Sequence, residues 1–169
     1  MAPHHLFLNE ADALRLGQYG DMRPTLASPS DQAALWEHIN STIVCVASDH
    51  APHIRAEKER PEGAPPGVPG LESTLPLMLT AVSQGRLNAA RLTELLALNP
   101  RRIFNLPEQP ETWVEVDPEA EFVFPERPLY TKCGWSPFTG MRLRGRVTSV
   151  VLRGQEVVRD GIVLNYQNP

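Results

Sequence analysis

Ser48-Asp49-His50-Ala51-Pro52-His53 gathers one carboxylate and two imidazoles within a few residues. Both group types ligate zinc and carry protons near neutral pH. The cluster follows Ile43-Val44-Cys45-Val46-Ala47, a continuous β-prone run. Continuity rather than alternation predicts a strand buried on both faces, as in a parallel sheet. The C-terminal end of such a strand is where barrels and doubly wound sheets build their sites. The spacing also fits a second reading, in which Asp49 caps a turn and both histidines are solvated.

Other reactive side chains are less well placed. His4-His5 stand beside a predicted first strand, Leu6-Phe7-Leu8, where neighbours point to opposite faces, so at most one can look into a site. His38 falls late in a predicted helix, where a structural role facing the C-terminal dipole is expected. Cys45 lies in the predicted buried strand and reads as a small core residue. Cys133, in Lys132-Cys133-Gly134-Trp135, reads as more accessible and structural, with no His or Cys at metal spacing. Arg101-Arg102 reads as a solvated helix end. Between Gly63 and Gly70, prolines stand where a phosphate loop needs free N–H donors.

The elements that must position the cluster are marked by proline. The chain has 17 prolines in 169 residues, about twice the usual ~5%. The stretches Ser30–Ala51, Leu77–Asn99 and Phe138–Asn168 contain none, so regular structure is expected there. The first predicted helix has its N-cap at Ser28 or Ser30. A second spans Leu71–Val82 with Pro76 in its first turns, stopped by Gly85. A third is capped by Asn88 and ends before Asn99-Pro100, with one more helical turn at Arg101–Phe104. Pro52–Gly70 reads as irregular, longer than the ~12–15 residues at which a structureless loop signals function or disorder. From Thr112 the hydrophobic period becomes two, with turn signals at Arg153-Gly154-Gln155 and Arg159-Asp160-Gly161. Residues 1–106 therefore read as α/β and 107–169 as a β module.

Composition bounds the function. With 41% apolar and 21% charged residues, the chain can form one domain, or one with a small appendage. A net charge of −4 argues against a nucleic-acid or anionic-membrane surface. No apolar run approaches the ~18 residues of a spanning helix. The first residues lack the basic start of a signal peptide. Two cysteines are too few for a disulfide framework, so reduced thiols and a cytoplasmic location are expected.

Taken in order, Ala47–His53, Glu57-Lys58, Pro65-Pro66-Gly67-Val68-Pro69-Gly70-Leu71-Glu72 and Asn99-Pro100-Arg101-Arg102-Ile103-Phe104 closely resemble dihydroorotase. Pro3-His4-His5-Leu6-Phe7-Leu8, Met22-Arg23-Pro24, Leu77–Val82, Trp135-Ser136-Pro137-Phe138 and Val151-Leu152-Arg153-Gly154 extend the resemblance over essentially the whole chain. The best likeness is to the group containing the domain of the multifunctional animal pyrimidine protein. The resemblance implies the C-terminal portion of a TIM-barrel amidohydrolase, its last βα units over 1–106, then a β-sandwich-type module over 107–169. It implies reversible cyclisation of N-carbamoyl-L-aspartate to L-dihydroorotate in de novo pyrimidine synthesis. Zinc would activate water and polarise the amide carbonyl. Asp49 matches the last-strand aspartate that binds metal and shuttles the proton. His53 matches the histidine that holds the substrate carboxylate. Pro66 and Gly67 match the loop that contacts the ring, and Arg23 an arginine near the substrate.

The family's early His-x-His pair and its metal-bridging residue have no counterpart here, and its two later metal histidines lie upstream of Met1. His4-His5 matches the seventh-strand motif and does not replace them; Met1-Ala2 stands where an acidic residue commonly precedes that motif. A complete (β/α)₈ barrel takes ~250 residues, so eight strands cannot come from 1–106. The expectation is a truncated reading frame or a remnant that needs the missing N-terminal barrel half, retaining no zinc and no turnover alone. The alternative is a non-catalytic dihydroorotase-like scaffold for a partner such as aspartate transcarbamoylase.

Overall fold

A computed structural model describes residues 1–164. The helical part comprises α1 (Pro3–Phe7), α2 (Glu10–Leu16), α3 (Pro29–Glu37), α4 (Arg55–Lys58), α5 (Leu71–Ser83), α6 (Ala89–Thr93) and α7 (Asn99–Ile103). A four-stranded antiparallel meander follows: β1 (Trp113–Val123), β2 (Arg142–Leu152), β3 (Gln155–Arg159) and β4 (Ile162–Val163), in that spatial order.

The capping signals act where the sequence places them. Ser28 accepts from the Asp31 N–H while Asp31 reaches back to Ser28, closing a capping box with Pro29 at the first helical position. Asn88 accepts from the Arg91 N–H at 2.8 Å. Pro76 is tolerated early in α5, and Gly85, at φ +71°, ends it.

Two predicted strands are not observed. Leu6-Phe7-Leu8 lies in and just after α1, a helical turn started by Pro3 and closed by the Leu8 N–H on the His4 carbonyl at 2.9 Å. Trp36 Nε1 and Gln32 Nε2 both donate to the Leu6 carbonyl, at 2.7 and 3.0 Å, drawing it to α3 rather than to a ladder. Ile43–Ala47 forms no strand, and no strand flanks it among the described residues. Its Val46 and Ala47 N–H groups instead donate to the carbonyls of Leu95 and Met1, at 3.0 and 2.9 Å. Val44 is accordingly 59% exposed and Cys45 only half-buried, not the core residue expected. Cys133 errs the other way: it is buried, its thiol directed at the Trp135 carbonyl.

The helix expected to stop before Asn99-Pro100 runs on. Between α6 and α7 the chain widens into a π turn, Glu94–Leu98, closed by the Asn99 N–H on the Glu94 carbonyl. Pro100 then enters at the start of α7, where its missing N–H matters least. The wide turn leaves the Leu95 carbonyl free for Val46.

The sheet packs on α5. Thr80 Oγ1 accepts the Arg144 N–H at 2.9 Å and contacts the Arg144 carbonyl at 3.2 Å. Next to it Gly145, at φ +100°, lets the strand approach so closely that a Cβ there would stand 2.5 Å from the Leu79 Cβ. Leu77 on α5 joins a core with Phe138 and Leu143, while Met78 and Ala81 join another with Ile39 and Leu95. In β1 the register slips between Asp117 and Glu121, around Pro118, which has no ladder donor to offer.

Candidate functional site

Asp49 follows the Ile43–Ser48 segment at φ +48°, in the left-handed region. Non-glycine residues held there are sparse and cluster at functional positions. Its carboxylate is 53% exposed, and its Oδ2 stands 3.7 Å from Nε2 of His4. His4 is only 2% exposed, and that Nε2 is a buried atom with no hydrogen-bond partner. Burial chiefly, with the adjacent His5 and the N-terminal ammonium, lowers His4 from 6.5 to about 4, although Asp49 pulls it upward.

The two histidines after Asp49 diverge in role. His50 Nδ1 accepts the N–H groups of Gly70 and Leu71, at 3.1 and 3.2 Å, so it caps α5 and fixes the start of that helix. Its backbone forms an isolated parallel bridge with Val68, and the Ala51 N–H donates to the Val68 carbonyl at 3.0 Å. The turn thereby touches the Pro65–Gly70 loop. Gly67 (φ +128°) passes so close that a Cβ would lie 2.6 Å from the Ala51 carbonyl, and one on Gly70 2.3 Å from that of Ser48. His53 is half-buried, its Nδ1 3.4 Å from Oε2 of Glu57, which also caps α4 by accepting the Ile54 N–H.

Arg23 stands mostly in solvent, its guanidinium paired with the Asp21 carboxylate and bonded to the Met22 carbonyl at 3.0 Å. The Gly67 N–H donates to the Asp21 carbonyl at 2.8 Å, joining the Arg23 segment to the loop. Pro66 is exposed and Gly67 buried. The structure thus links the chain segments of Asp49, His53, Arg23, Pro66 and Gly67 by main-chain contacts.

Two residues were missed by sequence reasoning. A His-His doublet judged as strand cannot reveal that a helical turn buries His4 against Asp49; the Pro3 just before it was the available signal. Lys58 is 0% exposed, its ammonium spent on three backbone carbonyls. Nothing in a charged, proline-rich segment marks one lysine as buried.

A hydrolytic zinc needs about three protein ligands. Among the described residues no group of three or more His, Cys, Asp or Glu side chains is placed to hold a metal ion. Asp49 is exposed and can be one ligand; the Nε2 of His4 beside it is the only buried histidine nitrogen without a hydrogen-bond partner among the described residues.

No protein-family model matches the chain. It is 51% identical over 165 residues to the multifunctional protein CAD of Squalus acanthias, covering 97% of this chain and 7% of that protein. It is 38% identical to the dihydroorotase of Pyrococcus abyssi, covering 97% of this chain and 41% of the relative. Among solved structures it superposes on the L-hydantoinase (dihydropyrimidinase) of Arthrobacter aurescens with TM-score 0.88 and 29% identity, over 97% of this chain and 40% of that one. It also superposes on the inactive dihydroorotase-like domain of the Chaetomium thermophilum CAD-like multifunctional protein, with TM-score 0.77 and 31% identity, over 98% of this chain and 45% of that one. The chain thus spans less than half of each of these proteins.

Proposed function

We propose, from the premise that this chain belongs to the dihydroorotase family as a C-terminal portion of its amidohydrolase fold, that it supplies the proton-transfer and substrate-carboxylate side of a dihydroorotase site. The reaction is the interconversion of N-carbamoyl-L-aspartate and L-dihydroorotate. The observation that carries this reading is the exposed Asp49 carboxylate, held at φ +48° where the Arg23, His53 and Pro66–Gly67 segments converge.

Within that site Asp49 takes and returns a proton at a carboxylate oxygen, between water and the amide nitrogen. A half-exposed carboxylate on a braced turn suits this task, because proton transfer needs reach and a fixed position. His53 donates to the substrate carboxylate; its Nδ1 faces Glu57, which orients the ring and leaves Nε2 for the ligand. Arg23 adds a second cation, and the Gly67 backbone approaches the ring where a side chain would not fit.

Zinc is part of the proposal as a group held mainly by ligands outside this chain, with Asp49 as its one ligand from within. The division into 1–106 and 107–169 belongs to it too: the four strands form one layer of a β-sandwich-type module whose second layer comes from elsewhere in the protein. A cytoplasmic location fits, and no described helix is long and apolar enough to cross a membrane. Nucleic acid is not an expected partner. Aspartate transcarbamoylase is, because close relatives are multifunctional proteins.

The test joins this chain to the metal-binding N-terminal portion of a relative dihydroorotase. Ring opening of L-dihydroorotate and bound zinc are expected of the joined protein, and neither of the 169-residue chain after dialysis. Stoichiometric zinc with turnover in the chain alone would overturn the division of labour. A second reading, a catalytically inactive scaffold, is favoured by the likeness to an inactive dihydroorotase-like domain. A joined protein that binds zinc yet turns nothing over supports it.

A further inference from the structure

We propose that Lys58 is a positioning residue that assembles the substrate side of the site, tying the Arg23 segment, the Pro66–Gly67 loop and the Trp135 bracket of His53 to one buried ammonium. The inference rests on the reading of those residues as substrate contacts. Lys58 has no solvent exposure, a rare state for a lysine. Among the described residues no carboxylate lies within ion-pair distance of it. Its Nζ lies 3.3, 3.0 and 3.3 Å from the carbonyls of Asp21, Pro65 and Gly67. An ammonium has three donors, so its capacity is used up on main chain.

The three acceptors belong to two segments far apart in sequence. The Asp21 carbonyl also takes the Gly67 N–H, at 2.8 Å, so one peptide oxygen carries both the lysine and the loop. On its other side the ammonium lies 5.8 Å from the centre of the Trp135 ring, within cation–π range. That indole donates to the His53 carbonyl at 2.7 Å. Lys58 thus bonds to the Arg23 segment and the Pro66–Gly67 loop, and it reaches the His53 segment through the Trp135 indole. It ends α4, a helix of four residues that is too short to hold itself. Burial lowers the lysine's pKa, with the Asp21 charge opposing. A neutral amine would give up one of the three donors.

Amide hydrogen exchange in the 169-residue chain tests this for Lys58→Met, with Lys58→Arg as a second variant. The Met variant is expected to exchange at least about tenfold faster over residues 61–69, while residues 74–83 of α5 stay within about threefold. The Arg variant keeps the charge and is expected to fall between the two. In the protein joined to a metal-binding half, Lys58→Met is expected to raise KM by roughly tenfold or more, with kcat within about threefold and zinc content unchanged. Unchanged exchange over 61–69 overturns the proposal, as does equal acceleration across α5 and the sheet, which marks general stability alone. Loop loosening with an unchanged KM overturns its substrate part. Failure of the underlying functional reading shows separately, as no turnover in the unsubstituted joined protein, and the exchange arm decides the positioning role in that case.

Discussion

Asp49→Asn keeps the shape of the turn and removes the base. In the joined protein kcat should fall by the ~10²–10⁴-fold typical of a general acid–base group, read by steady-state kinetics. His53→Ala should leave zinc in place and raise KM by roughly 10–150-fold, because a hydrogen bond to a charged group is worth about 1.5–3 kcal/mol. Zinc loss in that variant would reverse the two assignments. His4 gives a pH dependence. Its folded pKa, about 4, lies below the 6.5 of an exposed histidine. The unfolded chain therefore binds more protons between those values, and stability falls as pH drops from about 6.5 to 4. The loss is on the order of 3 kcal/mol at about 1.4 kcal/mol per unit. Urea unfolding at pH 7 and 4.5 measures it, and His4→Gln should flatten the slope. Asp49 and His53 were legible because their types and spacing carry chemistry in any fold. His4 was not, since its importance depends on burial and on a partner 45 residues away.

At the scale of elements, the caps, α5 and the hairpin turns were legible because each depends on residues close in sequence. Ser28, Asn88, Gly85 and Asp160-Gly161 act on their own neighbours. Leu6–Leu8 and Ile43–Ala47 were misjudged because strand formation depends on what lies alongside. Ile43–Ala47 has β-prone residues, and yet its Ile43, Val46 and Ala47 N–H groups bond to His38, to Leu95 in the π turn and to Met1. The α5–β2 contact also depends on distant pairing. Gly145→Ala should cost roughly 2–4 kcal/mol, from a positive φ and a Cβ forced against Leu79. Gly63→Ala is the control: φ is +69°, but nothing stands within 4 Å of the added carbon, so its cost should stay near 1 kcal/mol. Thermal unfolding of both variants measures the difference.

At the scale of the molecule, apolar surface is left uncovered. Ile103, Phe104 and Leu106 are each more than half exposed, and Trp113 and Val114 on the outer strand β1 are nearly so. Contiguous apolar residues and an unpaired strand edge both promote association. The 169-residue chain should therefore self-associate at micromolar concentration, as read by sedimentation, and a sharp melting transition independent of concentration would count against this.

Many of the contacts that bridge distant parts of the chain share one grammar: a side chain donates and a main-chain carbonyl accepts. Trp135 reaches His53, Arg91 reaches Ile39 and Ile43, Asn99 reaches Val44, and Arg55 reaches Gly134. Every residue has a carbonyl, so the accepting positions are indifferent to the side chains they bear, whereas the donors are not. Sequence drift over generations should therefore be lopsided. An acceptor with no other duty, such as the exposed Val44, is free to wander in identity while its donor stays fixed, whereas His53 and Gly134, at φ +68°, answer to demands of their own.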